Sequence, residues 1–392
     1  MDWIREAEAL FSHTQALRRD FHSHPELGFQ EVRTAGIVAH ELNELGLEIH
    51  SGIAETGVVA LLECEKPGPV VFLRFDMDAL PILEDSQADY ASTNPGVMHA
   101  CGHDGHTAIG ITVARLLHAH RNELGGTVKL VFQPAEEGLG GALRMVKEGV
   151  LDNPQPVSCL SLHLWNEKPL GWIGAAPGPV MAASELFKIR LTGKGGHGAV
   201  PNLSIDPVLA AAQIITAIQS IISRNVSPLQ SAVISVTSIH SGDAFNVIPS
   251  QALLQGTIRT FEPAVRKMVL QRFQQLTEGI AQAMSCQATI EIESITPAVI
   301  NDPEITGRVQ SVVNNLFPAA HLAEQYSTMG SEDMAFMMQK IPGCYFFVGS
   351  ANPEKGLNAA HHHPRFDFDE DVLPRAAALM AGAAAELLLR SH

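Results

Sequence analysis

The feature that most constrains this chain is the short segment 99–106, which reads His-Ala-Cys-Gly-His-Asp-Gly-His. Its imidazole, thiolate and carboxylate side chains are the groups that bind transition metals in proteins. The apolar residues 108–117 predict a buried helix directly after it. The segment therefore leads into a helix N-terminus, where backbone N–H groups favour negative charge. This pattern predicts a metal site, and a polar turn without an ion is the alternative.

The chain has 392 residues and a formal net charge of −16, which argues against nucleic acid or an anionic membrane as a partner. Its length favours two or three domains. Residues 1–21 lack the basic start and apolar core of a signal peptide, and no uncharged apolar run reaches the length of a membrane span. Five scattered cysteines suit a reducing compartment. We therefore expect a cytoplasmic protein, and an exported protein whose signal has been removed is the alternative.

Paired carboxylates follow two of the predicted buried strands. The apolar segments 69–75 and 127–132 predict strands covered on both faces, and ligands in open α/β sheets bind at the ends of such strands. The carboxylates that follow them are Asp76, Asp78, Glu136 and Glu137. Adjacent glutamates repel each other unless a cation neutralises them, so one of the second pair can bind a metal while the other moves protons. A capping aspartate and a solvated pair of glutamates are the alternatives.

Histidines supply the other candidate ligands. A further strand, 157–162, is predicted to end at His163, and three consecutive histidines precede Pro364. The candidate ligands are Cys101, His103, Glu137, His163 and one of His361, His362 and His363. This set exceeds the four positions of one tetrahedral zinc, so it suits two neighbouring ions that polarise a carbonyl and acidify a water. Glu136 then fits as the general base that carries the proton of that water to a leaving amine.

The pattern of elements changes between residues 184 and 295. The order β-α-β-β-α-β there predicts a split βαβ sandwich, inserted into a first domain that comprises 1–183 and 296–392. His197, in a glycine-rich loop of the insertion, is a candidate donor to an oxyanion, and a solvated loop histidine is the alternative. Outside the insertion, we predict a first helix that ends near Asp20 and another that begins at Ser331 as its N-cap.

Four segments of the chain carry a family resemblance. They are Met-His-Ala-Cys-Gly-His-Asp-Gly-His at 98–106, Phe-Gln-Pro-Ala-Glu-Glu-Gly at 132–138, Gly-Gly-His-Gly-Ala-Val-Pro at 195–201 and Phe-Asn-Val-Ile-Pro at 245–249. Together, and in this order, they resemble the M20D amidohydrolases, which include hippurate hydrolase, N-acyl-amino-acid amidohydrolases and the plant hydrolases of indole-acetyl amino acids. The resemblance implies an α/β fold: a mixed-sheet, zinc-exopeptidase-like catalytic domain with an inserted ferredoxin-like α+β domain that serves as a lid or for dimerisation.

The resemblance also implies roles for individual residues. The implied ligands of two divalent ions (manganese, zinc, nickel or cobalt) are Cys101, His103, Glu137, His163 and His362. Glu136 is then the general base and His197 meets the substrate carbonyl, while Asn246 and Arg259 bind the substrate carboxylate. The implied supports behind the ligands are Asp76, Asp78 and Asp104. Many relatives have a bridging aspartate where this chain has Cys101, and the thiolate leaves the identity of the metal open.

The implied substrate is a small N-acyl or N-aroyl amino acid, cleaved to a free amino acid and a carboxylic acid by a homodimer or a dimer of dimers. A dipeptidase or aminopeptidase on the same scaffold is the second hypothesis. It requires an acidic group that meets a free α-amine, and the sequence does not identify one. A metal-binding homologue without catalysis is the third hypothesis, and the presence of Glu136 and His197 beside all the ligands argues against it.

Overall fold

The structure is a computed structural model that describes residues 1–389. Its α-helices are α1 (Trp3–Ala9), α2 (Phe11–Ser23), α3 (Val32–Asn43), α4 (His103–Ala119), α5 (Gly141–Lys147), α6 (Pro207–Arg224), α7 (Pro263–Ala283), α8 (Pro303–Leu316), α9 (Ala335–Met338) and α10 (Val372–Leu389). Its strands are β1 (Glu48–Ile53), β2 (Gly57–Glu63), β3 (Lys66–Asp76), β4 (Gly125–Gln133), β5 (Ser158–Pro169), β6 (Trp172–Gly174), β7 (Gly178–Met181), β8 (Ala183–Thr192), β9 (Gly196–His197), β10 (Ala232–His240), β11 (Val247–Ile248), β12 (Gln251–Thr260), β13 (Gln287–Thr296), β14 (Val299–Asn301), β15 (His321–Ala323) and β16 (Gly343–Ala351).

The first compact unit comprises Met1–Val180, Val299–Ser327 and the chain from Asp333 onward, and it is built on an eight-stranded mixed sheet. The strand order is β1-β2-β4-β3-β5-β16-β6-β15. The four central strands β4, β3, β5 and β16 run parallel to one another, and antiparallel strands flank them. Because the carboxyl ends of parallel strands meet at one edge of a sheet, this arrangement gathers the segments that follow β3 and β4.

Helix α10 completes the core of the first unit. It packs against α1, α4, α8 and strand β3, and its alanines and leucines are almost all buried. Both α10 and α6 are long and apolar enough to cross a membrane by length and composition. However, 78% of α10 is buried inside the protein, as expected for a core helix. One face of α6 is likewise buried in the core of the second unit, through residues such as Ile214, Ile218 and Ile221.

The second compact unit comprises Met181–Ala298 and Thr328–Glu332. Its four strands form an antiparallel sheet in the order β10-β12-β8-β13. Helices α6 and α7 pack against each other and against this sheet, and they bury a separate apolar core that includes Phe187 and Phe273. The chain order of these elements is the β-α-β-β-α-β order expected from the sequence, and the predicted insertion 184–295 lies within this unit.

Three local predictions are wrong. The first helix is interrupted at Leu10, so α1 and α2 replace a single helix that ends near Asp20. His163 lies inside β5 rather than at its end, because β16 continues to pair with β5 as far as Pro169. No helix begins at Ser331 in the described chain: α9 begins four residues later, and the Ser331 hydroxyl accepts a hydrogen bond from Arg259 instead of capping a helix.

Candidate metal centre

Cys101 lies in the loop before α4 and His103 is the first residue of that helix, so the predicted ligand-rich segment spans the loop and the first helical turn. Gly102 has a φ of +94°, in the left-handed region that favours glycine, and this turn separates the two side chains. His163 projects from β5 just beyond Ser161, the last residue that pairs with β3. One ligand atom from each of Cys101, His103 and His163 lies within 4.8 Å of the others. These three predicted ligands therefore meet in the fold.

A second cluster shares the thiol with the first. The ligand atoms of Cys101, Glu137 and His362 lie within 4.8 Å of one another, and those of His103, Glu136 and Glu137 do so as well. Glu137 follows β4, and His362 lies in the loop after β16, where its φ is +65° and its amide donates to Ala100 O at 2.8 Å. All five predicted ligands and the predicted base Glu136 are thus linked by short distances within the first unit.

The hydrogen bonds of His103 and His163 leave one ring nitrogen of each directed at this cluster. His103 Nδ1 donates to Asp78 O at 2.9 Å, while its Nε2 is buried without a hydrogen-bond partner in the described residues. His163 Nδ1 donates to Leu164 O at 2.7 Å, and its Nε2 lies 3.5 Å from Cys101 Sγ. A buried polar atom without a partner is costly. The buried Nε2 of His103 therefore fits a metal ligand.

The electrostatics also suit a cation. Burial, reinforced by Glu137, raises the pKa of the Cys101 thiol. Burial and the neighbouring His106 hold the pKa of His163 well below its usual value, which favours the neutral ring that metals bind. Hydrogen bonds to Cys101 and Glu137 raise the pKa of His362 to about 10. A divalent ion would replace that proton, because it stabilises the same thiolate and carboxylate with a larger charge.

The three predicted supporting aspartates differ in what they contact. Asp78 accepts a hydrogen bond from His103 Nδ1 at 3.2 Å and another from the Glu137 amide at 2.9 Å, so it contacts two of the predicted ligands. Asp76 lies 3.8 Å from His103 Nε2 and is paired with Arg74 at 2.7 Å. Asp104, in the first turn of α4, instead bonds Arg18 at 2.9 Å and His22 at 2.7 Å, in a buried network that joins α4 to α2.

Sequence reasoning assigned no role to two contributors to the centre. His106 Nδ1 donates to Asp76 at 2.6 Å and its Nε2 accepts from the Leu164 amide at 2.9 Å, so it joins α4 to β5 beside His163. Its position three residues after His103, on the same face of a helix, was the available signal. The second is Trp165, whose ring lies 4.8 Å from that of His361 and 5.3 Å from that of His163. Nothing in the sequence marks this contact.

The predicted substrate residues lie in the second unit. His197 is exposed on β9, which pairs with β11, and its Nδ1 accepts from the Ala199 amide at 3.0 Å. Asn246 is its neighbour, since its carbonyl accepts from the Gly198 amide at 2.8 Å. Arg259 is half-buried on β12, where its Nη1 donates to Ser331 Oγ at 2.7 Å. The structure thus places His197 and Asn246 together, with Arg259 on a different strand of the same unit.

Comparison with known proteins shows the family. The model of peptidase family M20/M25/M40 matches residues 72–386, which include every predicted ligand. The chain belongs to this family. The M20 chain is 41% identical to N-acetylcysteine deacetylase of Bacillus subtilis, over 95% of this chain and 96% of that protein. It is 40% identical to IAA-amino acid hydrolase ILR1-like 4 of Arabidopsis thaliana, over 95% and 85% of the two chains.

A solved structure extends the comparison to the fold. The M20 chain superposes on the YXEP protein of Bacillus subtilis, described as a dinuclear metal binding peptidase from the M20 family, with a TM-score of 0.85. The identity is 36%, and the alignment covers 97% of this chain and 99% of that one. The mixed α/β architecture is therefore that of the family. With relatives of this kind along its whole length, the chain is an enzyme that hydrolyses carbon–nitrogen amide bonds.

Proposed function

We propose that the protein is a two-metal amidohydrolase that cleaves N-acyl and N-aroyl amino acids. The observation that carries the proposal is a set of overlapping clusters of three side chains, which link the five proposed ligands to one another and to the Glu136 carboxylate. The similarity to a deacetylase and to an IAA-amino acid hydrolase supports an acylated amino acid as the substrate. The ligands are Cys101, His103, Glu137, His163 and His362. The chemistry of this mixed sulfur, nitrogen and oxygen set suits zinc, manganese, cobalt or nickel, with zinc or manganese the first to test.

Each residue near the centre has a defined task in this mechanism. When bound, the ions supply Lewis acidity that polarises the amide carbonyl and acidifies the attacking water. Glu136 takes the proton of that water and donates it to the leaving nitrogen, so a neutral amine departs. Asp78 holds His103 and the Glu137 amide in place for the ions.

The second unit supplies the groups that recognise the substrate. His197 donates a hydrogen bond to the oxygen of the substrate carbonyl as negative charge develops there. Arg259 and Asn246 bind the substrate carboxylate, a task that suits the planar fork of a guanidinium. We assign the second unit the role of lid and dimerisation domain, and the protein the state of a homodimer or dimer of dimers in the cytoplasm. The exposed apolar side chains Val208 and Leu209 on α6 support a protein contact on this unit.

The decisive experiment compares substrates and metals in one assay. We would strip the protein of metal, reload it with zinc, manganese, cobalt or nickel, and measure release of the free amino acid from hippurate, N-acetyl amino acids and a dipeptide. Glu136→Gln should bind metal normally and lose about 10²- to 10⁴-fold in kcat. Glu44→Gln, an exposed glutamate at the end of α3, is the matched control and should keep full activity.

Each result assigns the protein to one hypothesis. Turnover of the acylated amino acids that disappears in Glu136→Gln supports the amidohydrolase. Cleavage of the dipeptide alone would move the protein to the dipeptidase hypothesis. A protein that holds two ions and hydrolyses none of these substrates would contradict the proposal. The mass of the particle in solution, measured by light scattering, tests the dimer separately.

A further inference from the structure

The turn that carries Glu136 and Glu137 begins with an unusual backbone conformation. Ala135 has a φ of +55°, in the left-handed region that residues other than glycine rarely adopt, and it is fully buried. A conformation of this kind persists only where the surrounding structure holds it. Because Ala135 lies between the end of β4 and both glutamates, its backbone sets the direction in which Glu136 and Glu137 follow the strand.

Two carboxylates hold this turn, one on each side of Glu136. Glu31 Oε1 accepts from the Ala135 amide at 2.9 Å, and Asp78 Oδ2 accepts from the Glu137 amide at 2.9 Å. The other oxygen of Glu31 accepts from the Thr56 hydroxyl at 2.6 Å. Glu31 therefore connects the turn to the β1–β2 hairpin through a pair of hydrogen bonds, and its side chain is shielded from solvent.

The packing around Glu31 is close enough to transmit its position. A Cβ atom on Gly28, three residues earlier, would lie 3.0 Å from Ala135 Cα and 2.7 Å from the Leu139 side chain. The segment that carries Glu31 thus lies directly against the turn. A buried carboxylate is costly unless it is hydrogen-bonded. The hydrogen bonds that Glu31 accepts from Thr56 and Ala135 offset this cost, and the second of these hydrogen bonds fixes the Ala135 amide.

We propose that Glu31 is a positioning residue, which fixes the Ala135 amide and so aims the carboxylates of Glu136 and Glu137 into the metal centre. This inference rests on the proposed roles of those two glutamates. Glu31 acts on both glutamates through the backbone of the turn, because its carboxylate accepts from the Ala135 amide. Its loss should therefore weaken the ion held by Glu137 and slow proton transfer by Glu136, while substrate binding by the second unit is unchanged.

The test measures metal affinity as well as catalysis. Cobalt titration of metal-stripped Glu31→Ala should show about 10- to 100-fold weaker binding of one ion, with a similar loss of kcat, as for other residues that support metal ligands. Its KM should remain within about three-fold of the wild-type value, because substrate contacts are retained. Glu31→Gln should restore both properties, since its carbonyl can accept from Ala135 while its amide group donates to Thr56.

A neighbouring glutamate provides the matched control. Glu26 accepts from the amides of Arg33 and Thr34 at 3.0 and 2.8 Å, so it supports α3 without bonding to the turn. Glu26→Ala should lower the thermal stability while cobalt affinity and kcat stay at the wild-type level. If Glu31→Ala does not fold, Glu31→Asp replaces it, because a side chain shorter by one methylene cannot reach Thr56 and Ala135 together.

The outcomes separate this inference from the proposed function. Wild-type cobalt affinity in Glu31→Ala or Glu31→Asp would overturn the inference, and so would a Glu31→Gln variant as defective as Glu31→Ala. If even the wild-type protein hydrolyses no substrate, the proposed function fails, but the cobalt titrations still decide whether Glu31 positions Glu137. A loss of affinity that glutamine restores and that Glu26→Ala does not reproduce supports the inference.

Discussion

At the scale of single residues, the metal centre depends on carboxylates that are not themselves proposed as ligands. Asp78 contacts both His103 and the amide of Glu137, and Glu31 contacts the amide of Ala135. Each of these side chains offers two acceptor oxygens to two donors that come from different parts of the chain. The geometry of the centre therefore depends on these hydrogen-bond acceptors as well as on the proposed ligands.

Replacement of Asp78 by asparagine should weaken metal binding about 10- to 100-fold, as expected for a partner of a ligating histidine. Asparagine has one acceptor oxygen, so its NH₂ group must face either the His103 ring or the Glu137 amide, both of which donate. Metal content after dialysis against a weak chelator measures the effect. Asp85→Asn, at an exposed position, is the control. Equal metal retention in both variants would contradict the role of Asp78.

The raised pKa of Glu31 predicts that the stability of the protein depends on pH. Burial raises its pKa from 4.5 to about 7, and the nearby Asp78 adds to the shift. The folded protein therefore binds a proton that the unfolded chain releases between these values, so the stability supported by that proton is present below pH 4.5 and is lost as the pH rises to 7. Glu31→Gln cannot lose it. The difference in unfolding free energy between the variant and the wild type should therefore grow by about 2–3 kcal/mol in favour of the variant as the pH rises from 5 to 8.

Urea unfolding of both proteins at the two pH values, with a chelator present, measures this gain. The chelator matters because a bound divalent cation near Asp78 would itself lower the pKa of Glu31. A constant difference between wild type and variant across the pH range would show that Glu31 titrates at its ordinary value.

At the scale of elements, helix α4 is fixed by its close approach to the sheet. A Cβ atom on Gly110, in the middle of α4, would lie 2.7 Å from the Phe75 ring and 2.8 Å from the Phe132 ring. The helix can therefore lie against β3 and β4 only without a side chain here. By contrast, a Cβ on Gly307 in α8 would meet no atom within 4 Å.

These two helical glycines make a matched pair. Gly307→Ala should raise the unfolding free energy by about 0.5–1 kcal/mol, because alanine loses less backbone entropy in a helix. Gly110→Ala has the same entropic benefit but should lower stability by about 1–3 kcal/mol through overpacking. Thermal unfolding followed by circular dichroism compares them. A stabilised Gly110→Ala protein would mean that α4 can move away from the sheet at little cost.

The elements also show what the sequence predicts and what it does not. The apolar runs of β3 and β4 and the ligand-rich loop before α4 are local patterns, so the sheet edge and the metal cluster follow from them. The helix predicted at Ser331 fails because Asp333 is used elsewhere: its carboxylate accepts from the Ala142 amide at 2.8 Å and from Gln133 Nε2 at 2.7 Å. Contacts between residues about 200 positions apart produce no periodic pattern in the sequence. The pairing of Glu31 with Ala135 escapes prediction for the same reason.

At the scale of the whole molecule, the ligands tie together distant segments of the first unit. Cys101 and His362 lie on opposite sides of residues 181–298 in the chain, and the second unit that those residues form has its own apolar core. An ion that binds only the folded first unit stabilises that unit by mass action, about 2.7 kcal/mol at 100 times its dissociation constant. The stability of the second core has no such dependence.

Calorimetry should therefore show that zinc raises the Tm of the transition of the first unit and leaves the Tm of the second unit unchanged. Glu137→Gln, which removes a ligand from this centre, should reduce the zinc-dependent shift. A profile that moves as a single transition with zinc would show that the two units unfold together.

The burial of α10 has a consequence for biosynthesis. This helix is translated after every other element of the first unit, yet it covers β3, β4 and β5 of the central sheet. The roughly 300 residues between β3 and α10 take about 15–60 s to synthesise at bacterial and eukaryotic rates of ~5–20 residues per second. During that interval residues 181–298 of the second unit can already collapse, while the face of the central sheet that α10 covers stays exposed. The nascent chain therefore exposes apolar surface that the folded protein buries, and surface of this kind is prone to aggregation.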